Sequence, residues 1–494
     1  MSTLSLLDAA RELPAHVALA LGEQELSFAE LAERVRERMR GLGALAERSP
    51  ASRSPDRPLL AFRATESLAT LELIYALLEL GLPFLPLHAR LTEQEAEQLL
   101  VRLPVAQLLE PTESGCNIVA RSAPALGPQQ RDWFEATPQL AALATSGSSG
   151  TPHVVVLSRR AFLAAARASA ANFGWQSDDR WLLCLPLAHI GGLSVVTRCL
   201  IARRPVVLAG PAVPGESSEQ RLARAIASGR PRLLSLVPTQ LSALLQIEPR
   251  FELPPRVRVI LTGGAAAPPS LLAACAQRGW PVLTSYGMTE ACSQIASERP
   301  GSAASAERGC GWPLPGVEMR LSEGDAIQVR GPTLLSGYLL GAEAPLDSQG
   351  WFTTGDLGRF DGAGQLHVLG RSDQMIITGG ENVAPAEVEA ALAACPGVLE
   401  ACVFPVPDAH WGQLVAAGLR VQREADAERL LDGVWRELER RLAAFKRPRR
   451  HALASAFVYG PTGKLDRRAT ASALLPALRP VPAVLEHTVN RSSA

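Results

Sequence analysis

The chain carries no excess charge of either sign: 49 Lys and Arg balance 49 Asp and Glu over 494 residues. With no net field there is no electrostatic case for nucleic acid or an anionic membrane as a partner, and a small-molecule substrate is favoured. No CxxC pair is present, and the eight cysteines at 116, 184, 199, 275, 292, 310, 395 and 402 are scattered. That argues against a zinc site and a disulfide framework and for reduced thiols in the cytoplasm. Cys292, two residues after Glu290, reads as a small core residue rather than a reactive thiol. Asp8, Arg11 and Glu12 interrupt the first apolar residues, so no signal peptide is expected. Long hydrophobic runs are lacking too. The most apolar stretch, Leu68 to Leu87, contains Glu72 and Glu79 and ends in a proline-containing turn, so it predicts a buried helix and strand, not a membrane span. There is no internal repeat and no long charge run.

What is present is material for a large core. Hydrophobic residues make up 47% and charged residues 20%, the composition of a globular protein, and the length exceeds one ordinary domain. Over the first 370 residues or so, short apolar runs ending in Gly, Pro or hydroxyl residues alternate with helical patterns, which predicts an α/β fold. Examples are WLLCLPL at 181–187, LLSLVP at 233–238, VRVILTGG at 257–264 and PVLTSYG at 281–287. Ligands gather beyond the carboxyl ends of strands in such sheets, so loops far apart in sequence can converge on one crevice. From about Gly324 shorter strands take over (DAIQVRGP, GWFTTGD, GQLHVLGRSD), predicting a small β-rich subdomain. A helix with Leu430, Val434, Leu438 and Leu442 on one face follows, ending near FKRPRR, where Pro448 would stop it, within a small α+β unit. From Pro476 the sequence predicts a loose tail.

The segment Thr145 to His153, TSGSSGTPH, packs small hydroxyl residues and glycines into a loop suited to phosphate, because small residues let several backbone N–H groups converge on an anion. It is not the GxxxxGK[ST] loop: Thr151 follows Gly150 and no lysine lies within it. By itself such a run is more often a flexible surface linker. Six further segments follow in order: LPLAHIGGLS at 185–194, LTGGAAAP at 261–268, YGMTE at 286–290, TTGD at 353–356, GRSDQMIITGGENVAPAEVE at 370–389 and PTGKLDRR at 461–468. Together, at these spacings, they resemble the adenylate-forming acyl-CoA synthetases over almost the whole chain.

That resemblance implies a large N-terminal adenylate-forming domain (1–372) of stacked α/β sheets plus the β-rich subdomain, a small mobile C-terminal α+β domain (373–475), and a flexible tail (476–494). It implies ATP, Mg²⁺ and CoA, and a reaction in two steps: a carboxylate attacks the α-phosphate of ATP, then a thiol displaces AMP. Thr145, Ser146, Gly147, Ser148, Ser149 and Gly150 would hold the β- and γ-phosphates. Gly263, Gly264, Ala265 and Tyr286 would flank adenine, with Gly287 and Met288 in the same nucleotide site. Thr289 would touch the α-phosphate, and Glu290, with Thr145, would hold Mg²⁺, for which hard oxygen ligands are suited. Asp356 and Arg371 would grip the ribose hydroxyls, Asp373 would be the hinge, and Lys464 would bridge carboxylate and phosphate during adenylation. Gly379 and Gly380 would face the pantetheine tunnel.

In one respect the chain departs from the family pattern. The loop usually continues Pro-Lys, whereas here Pro152 precedes His153, which predicts weaker ATP binding or a pH-sensitive first step. Within the family, LPLAHIGGLS with Arg198, together with SLVPTQLSALL at 235–245, is most similar to the o-succinylbenzoate:CoA ligases. His189 would close the acyl pocket, and Arg198 and Ser194 would receive the second carboxylate of that dicarboxylate. Other aryl- or fatty-acyl-CoA ligases, an adenylate donor to a carrier protein, and a non-catalytic nucleotide binder remain alternatives.

Overall fold

The structure is a computed structural model and describes residues 3–47, 59–112, 115–122, 124, 138–145, 153–247, 250–301, 309–340, 346–422, 427–460 and 465–481. The expected strands form and belong to two large mixed sheets. In spatial order the nine-stranded sheet runs Trp312–Pro313, Ser293–Ser297, Val282–Met288, Val259–Thr262, Leu233–Leu236, Trp181–Leu183, Val206–Leu208, Val17–Leu21 and Gln24–Ser27. Its strands from Val282–Met288 to Val17–Leu21 are parallel. The seven-stranded sheet runs Gly337–Leu340, His153–Ser158, Gln139–Thr145, Phe84–His88, Leu59–Ala64, Val105–Pro111 and Cys116–Ala120.

Neighbouring residues of these strands enter different cores. Trp181 and Leu183 point into one and Leu182 into another; Leu60 and Phe62 share the first, whereas Leu59 and Ala61 enter a third. Strands buried on both faces must be apolar at every position, which is why these runs lack polar alternation. The shared core also holds helices Leu68–Leu80, Arg159–Phe173 and Ile190–Ala202, so helices lie between the two sheets. Ser218–Ala227, Pro238–Gln246 and Pro269–Gln277 cover the far face of the nine-stranded sheet, and Glu93–Leu100 that of the other.

Leu68 to Leu87 resolves into the expected buried helix, capped by the Ser67 hydroxyl and ended at Gly81 (φ +64°), followed by strand Phe84–His88. No helix among the described residues is long and apolar enough to cross a membrane.

A four-stranded antiparallel sheet, Glu318–Leu321, Ala326–Arg330, Phe352–Phe360 and Leu366–Arg371, is the β-rich subdomain. After a 3₁₀ turn at Ser372–Gln374, a smaller sheet built on Val398–Asp408 and Gly412–Val421 packs against helices Pro385–Ala393 and Ala427–Arg441 over its own core. Two expectations are corrected there. The helix carrying Val434 and Leu438 ends at Arg441, well before Pro448, because the Arg447 guanidinium donates to the carbonyls of Glu439 and Leu442 and satisfies the final turn. The chain from Pro476 is not loose at its start: a 3₁₀ turn at Leu475–Ala477 leads to Arg479–Pro480, which pairs with His451 and Arg450 of strand Arg450–Leu453.

Candidate active site

One hairpin threads the site. Strand Val282–Met288 turns through Thr289–Ala291 into Ser293–Ser297 and presents Tyr286, Glu290 and Ser293 to three neighbourhoods. The turn is tight: Cys292 and Ser293 both have positive φ (+55° and +91°), and a Cβ on Gly287 would lie 2.0 Å from the Ser293 carbonyl oxygen. Non-glycine residues held at positive φ cost free energy and collect at functional sites.

At the first neighbourhood the Tyr286 hydroxyl donates to Asp356 Oδ2 at 2.7 Å. Burial, then the Asp356 charge, push the phenol's pKa up, so it remains a donor. Asp356 and Arg371 are directly paired in strands Phe352–Phe360 and Leu366–Arg371, with Arg371 Nη1 3.6 Å from Asp356 Oδ1. Arg371 Nε also donates to Asp373 Oδ1 at 3.2 Å. Burial works against the Arg371 charge, but Asp373 and Asp356 outweigh it and hold its pKa above the ordinary value. On the adjacent strand end, a Cβ at Gly263 would meet Ser285 Oγ at 2.7 Å, so a side chain there would have to displace that hydroxyl from its hydrogen bond to the Thr262 carbonyl. Gly264 and Ala265 are exposed beside it. The arrangement is a wall of hydroxyl, carboxylate and guanidinium, competent to bind a polyol and a flat ring.

At the second neighbourhood Thr145, the last residue of Gln139–Thr145, pairs with His153 at the start of His153–Ser158. The His153 ring meets Tyr338 edge-on with centroids 5.5 Å apart, and Tyr338 Oη donates to Glu290 Oε1 at 3.2 Å. Thr145, His153, Tyr338 and Glu290 are thereby linked in one series of contacts. Ser146 to Gly150, and Lys464, lie outside the described residues. Carboxylate and hydroxyl oxygens of Glu290 and Thr145 suit a hard cation, and no group of three or more His, Cys, Asp or Glu that could hold a metal occurs among the described residues. A magnesium ion here would therefore take most of its ligands from nucleotide and water.

The third neighbourhood surrounds helix Ile190–Ala202. His189 is its N-cap, and its ring lies against that of His88, at the end of strand Phe84–His88, with centroids 5.2 Å apart. A Cβ on Gly192 would lie 2.4 Å from the carbonyl oxygens of Leu185 and Pro186, so the loop before His189 can lie on this helix only at glycine. Ser194 Oγ donates to the Gly191 carbonyl and accepts from Ser293 Oγ at 3.4 Å. One turn on, Arg198 is 3% exposed, 5.6 Å from the Trp181 ring, with Nε and Nη2 buried and without hydrogen-bond partners among the described residues. Burial lowers its pKa to about 10, which leaves it charged. An arginine with two unpaired buried N–H groups is costly unless an anion joins it. Cys292 is fully buried and its thiol pKa is pushed up by that burial, the inert behaviour expected of it.

The series of contacts does not include Gly379 and Gly380. They form the two-residue turn between Ile376–Thr378 and Glu381–Val383, with φ +59° and +87°, and Gly379 packs on Trp411. Such hairpins need positive φ at both turn residues, so local geometry alone requires this pair.

The AMP-binding enzyme family matches residues 6–339, and the AMP-binding enzyme C-terminal domain matches residues 387–464. The chain belongs to the AMP-binding enzyme family. This AMP-binding enzyme is 33% identical over 477 residues to the 2-succinylbenzoate–CoA ligase of Geobacillus kaustophilus (strain HTA426), covering 92% of this chain and 94% of that one. It is 31% identical over 469 residues to the ligase of the same name from Listeria monocytogenes serotype 4b (strain F2365), covering 92% and 96%. Among solved structures it is similar to o-succinylbenzoate CoA synthetase from Bacillus subtilis in complex with its acyl-adenylate intermediate. The TM-score is 0.79 at 28% identity, covering 98% of this chain and 99% of that one. The Bacillus subtilis enzyme in complex with ATP and magnesium ion gives 0.74 at 28% identity, covering 94% and 98%.

Sequence reasoning passed over His88, Tyr338, Ser293 and Trp181 in this AMP-binding enzyme. Tyr338 lies within, and His88 ends, a strand with a partner remote in sequence, and no local pattern marks them. Ser293 carried no local signal: the positive φ at Cys292 and Ser293 accompanies the close approach at Gly287, which is visible only in three dimensions.

Proposed function

We propose that this enzyme is an ATP-dependent o-succinylbenzoate:CoA ligase, forming an acyl-adenylate and then the CoA thioester, as its relatives' names describe. The observation that carries the substrate assignment is Arg198: a charged guanidinium buried 5.6 Å from the Trp181 ring, with two N–H groups unsatisfied among the described residues. A monocarboxylate activated at its single acid group would leave that cation unpaired, whereas the second carboxylate of a dicarboxylate joins it.

In the first step a carboxylate oxygen forms a bond to the α-phosphorus of ATP and the bond from that phosphorus to pyrophosphate breaks. In the second a CoA thiolate attacks the acyl carbon and AMP leaves. Tyr286, Asp356 and Arg371 orient the nucleoside. Thr145 and the loop 146–150 would hold the phosphates, Thr289 would contact the α-phosphate, and Glu290 with Thr145 would hold magnesium, which would supply positive charge against the phosphate oxygens. His189 closes the acyl pocket. Lys464 bridges carboxylate and phosphate in step one and leaves with the C-terminal unit, turning at Asp373, for step two. A cytoplasmic location accords with eight free cysteines.

The test is AMP release and thioester formation by the purified protein with Mg-ATP, CoA and a panel of o-succinylbenzoate, benzoate derivatives and fatty acids. A preference of about a hundredfold in kcat/KM for o-succinylbenzoate, about 2.7 kcal/mol, is expected. Equal or better use of a monocarboxylate would remove the substrate assignment while leaving the ligase chemistry.

A further inference from the structure

Tyr338 stands in the strand Gly337–Leu340, antiparallel to His153–Ser158, with Tyr338 paired to Val155. The segment before it is fastened at two points: the Leu335 N–H donates to the Glu290 carbonyl at 2.8 Å and the Ser336 N–H donates to the Val156 carbonyl at 2.9 Å. Its backbone thus joins the Glu290 turn, in one large sheet, to the strand after the phosphate loop, in the other. From this fixed position the phenol donates to Glu290 Oε1 at 3.2 Å while its ring receives His153 edge-on. Oε2 of the same carboxylate has no hydrogen-bond partner among the described residues.

We propose that Tyr338 is a positioning residue for the magnesium carboxylate: its hydrogen bond occupies Glu290 Oε1 and aims Oε2 at the cation. The inference rests on the reading that Glu290 holds magnesium. A carboxylate free to rotate offers either oxygen and loses rotamer entropy on metal binding, whereas one oxygen held by a fixed hydroxyl leaves a single lone-pair direction for the ion. Because the phenol sits in the strand that pairs with His153–Ser158, it also fixes the metal carboxylate relative to the strand that follows the phosphate loop.

The experiment compares wild type, Tyr338→Phe, Glu290→Gln and the double variant. Mn²⁺ serves as a paramagnetic probe of metal binding in the presence of ATP, and acyl-adenylate formation is followed against Mg²⁺ concentration. Tyr338→Phe keeps the ring and its contact with His153. It is expected to weaken Mn²⁺ binding about tenfold and to raise the Mg²⁺ requirement of adenylation similarly, within the range for one charged-group hydrogen bond. KM for the carboxylate, and thioester formation from supplied acyl-adenylate, should be unchanged. In the Glu290→Gln background Tyr338→Phe should add almost nothing to the metal defect. Unchanged Mn²⁺ binding in Tyr338→Phe, or equal slowing of both half-reactions, would overturn the proposal. Unchanged Mn²⁺ binding in Glu290→Gln would instead overturn the reading of Glu290 beneath it. A thermal midpoint for each variant separates loss of fold from loss of positioning.

Discussion

The hydroxyl of Tyr286 and the carboxylate of Asp356 are joined by a 2.7 Å hydrogen bond that ties the nine-stranded sheet to the β-rich subdomain. If this wall takes the nucleoside as proposed, it is preassembled from two substructures, and part of its ordering entropy is met on folding rather than on binding.

Tyr286→Phe removes that bond and keeps the ring. Initial-rate kinetics should show the KM for ATP raised about three- to tenfold, in line with about 1 kcal/mol for one hydrogen bond, with the KM for the carboxylate unchanged. Equal effects on both substrates would mean that the bond supports the fold generally.

Arg198→Met should divide activity from stability. Losing the cation lowers kcat/KM for o-succinylbenzoate about a hundredfold. The free protein should melt at the same temperature or higher, because a buried charge with two unpaired N–H groups is replaced by an apolar side chain of similar length. A clear fall in melting temperature would show that Arg198 is structural.

Gly192→Ala tests the seat of the His189 loop. The new Cβ would press on the Leu185 and Pro186 carbonyl oxygens at 2.4 Å, and neither is the end of a flexible side chain. The expected result is a loss of more than about 2 kcal/mol in urea unfolding, with adenylation impaired. A fully active, fully stable variant would contradict the close approach.

Acid should weaken the fold through two histidines whose pKa values burial depresses. Burial, and then Arg90, depress the pKa of His88, and burial, and then Arg479, that of His451. Above the unfolded value of 6.5 both rings are neutral folded or unfolded; below it the unfolded chain binds protons that the folded one resists. The stability present above pH 6.5 is thus lost as pH falls through that value toward the folded pKa values. Melting temperatures between about pH 7.5 and 5.5 should decline, and His451→Phe should flatten the slope. A flat wild-type profile would refute this.

His153→Lys restores a permanent cation beside the loop. The ATP KM should fall when measured over a range from about pH 6 to 8, because lysine carries a full positive charge throughout it. An unchanged constant across that range would mean that the loop does not need this cation.

Much of this was readable before any coordinates. The alternation of apolar runs with helical stretches foretold an α/β fold because strands buried on both faces cannot carry polar residues, and Leu182 beside Trp181 and Leu183 shows why. Seven ordered segments gave the family, because a loop holding phosphate or a purine has few solutions in residue type. Helix ends were less legible: Arg447, not Pro448, finishes the helix Ala427–Arg441, since guanidinium reach is a matter of three-dimensional placement. Arg479 and Pro480 look like tail residues yet pair with a strand, because pairing depends on an available edge rather than on side-chain type.

By itself, then, the sequence determined the chemistry on offer: hydroxyls and glycines for phosphate, Glu290 for a hard cation, and Asp356 and Arg371 for a polyol. Only the tertiary structure decided that Arg198 is buried and unsatisfied, that Tyr338 holds Glu290, and that His88 faces His189. Each relation joins residues from separate strands or helices, and which faces meet is set by how the two large sheets and the helices between them pack, a property no local pattern encodes.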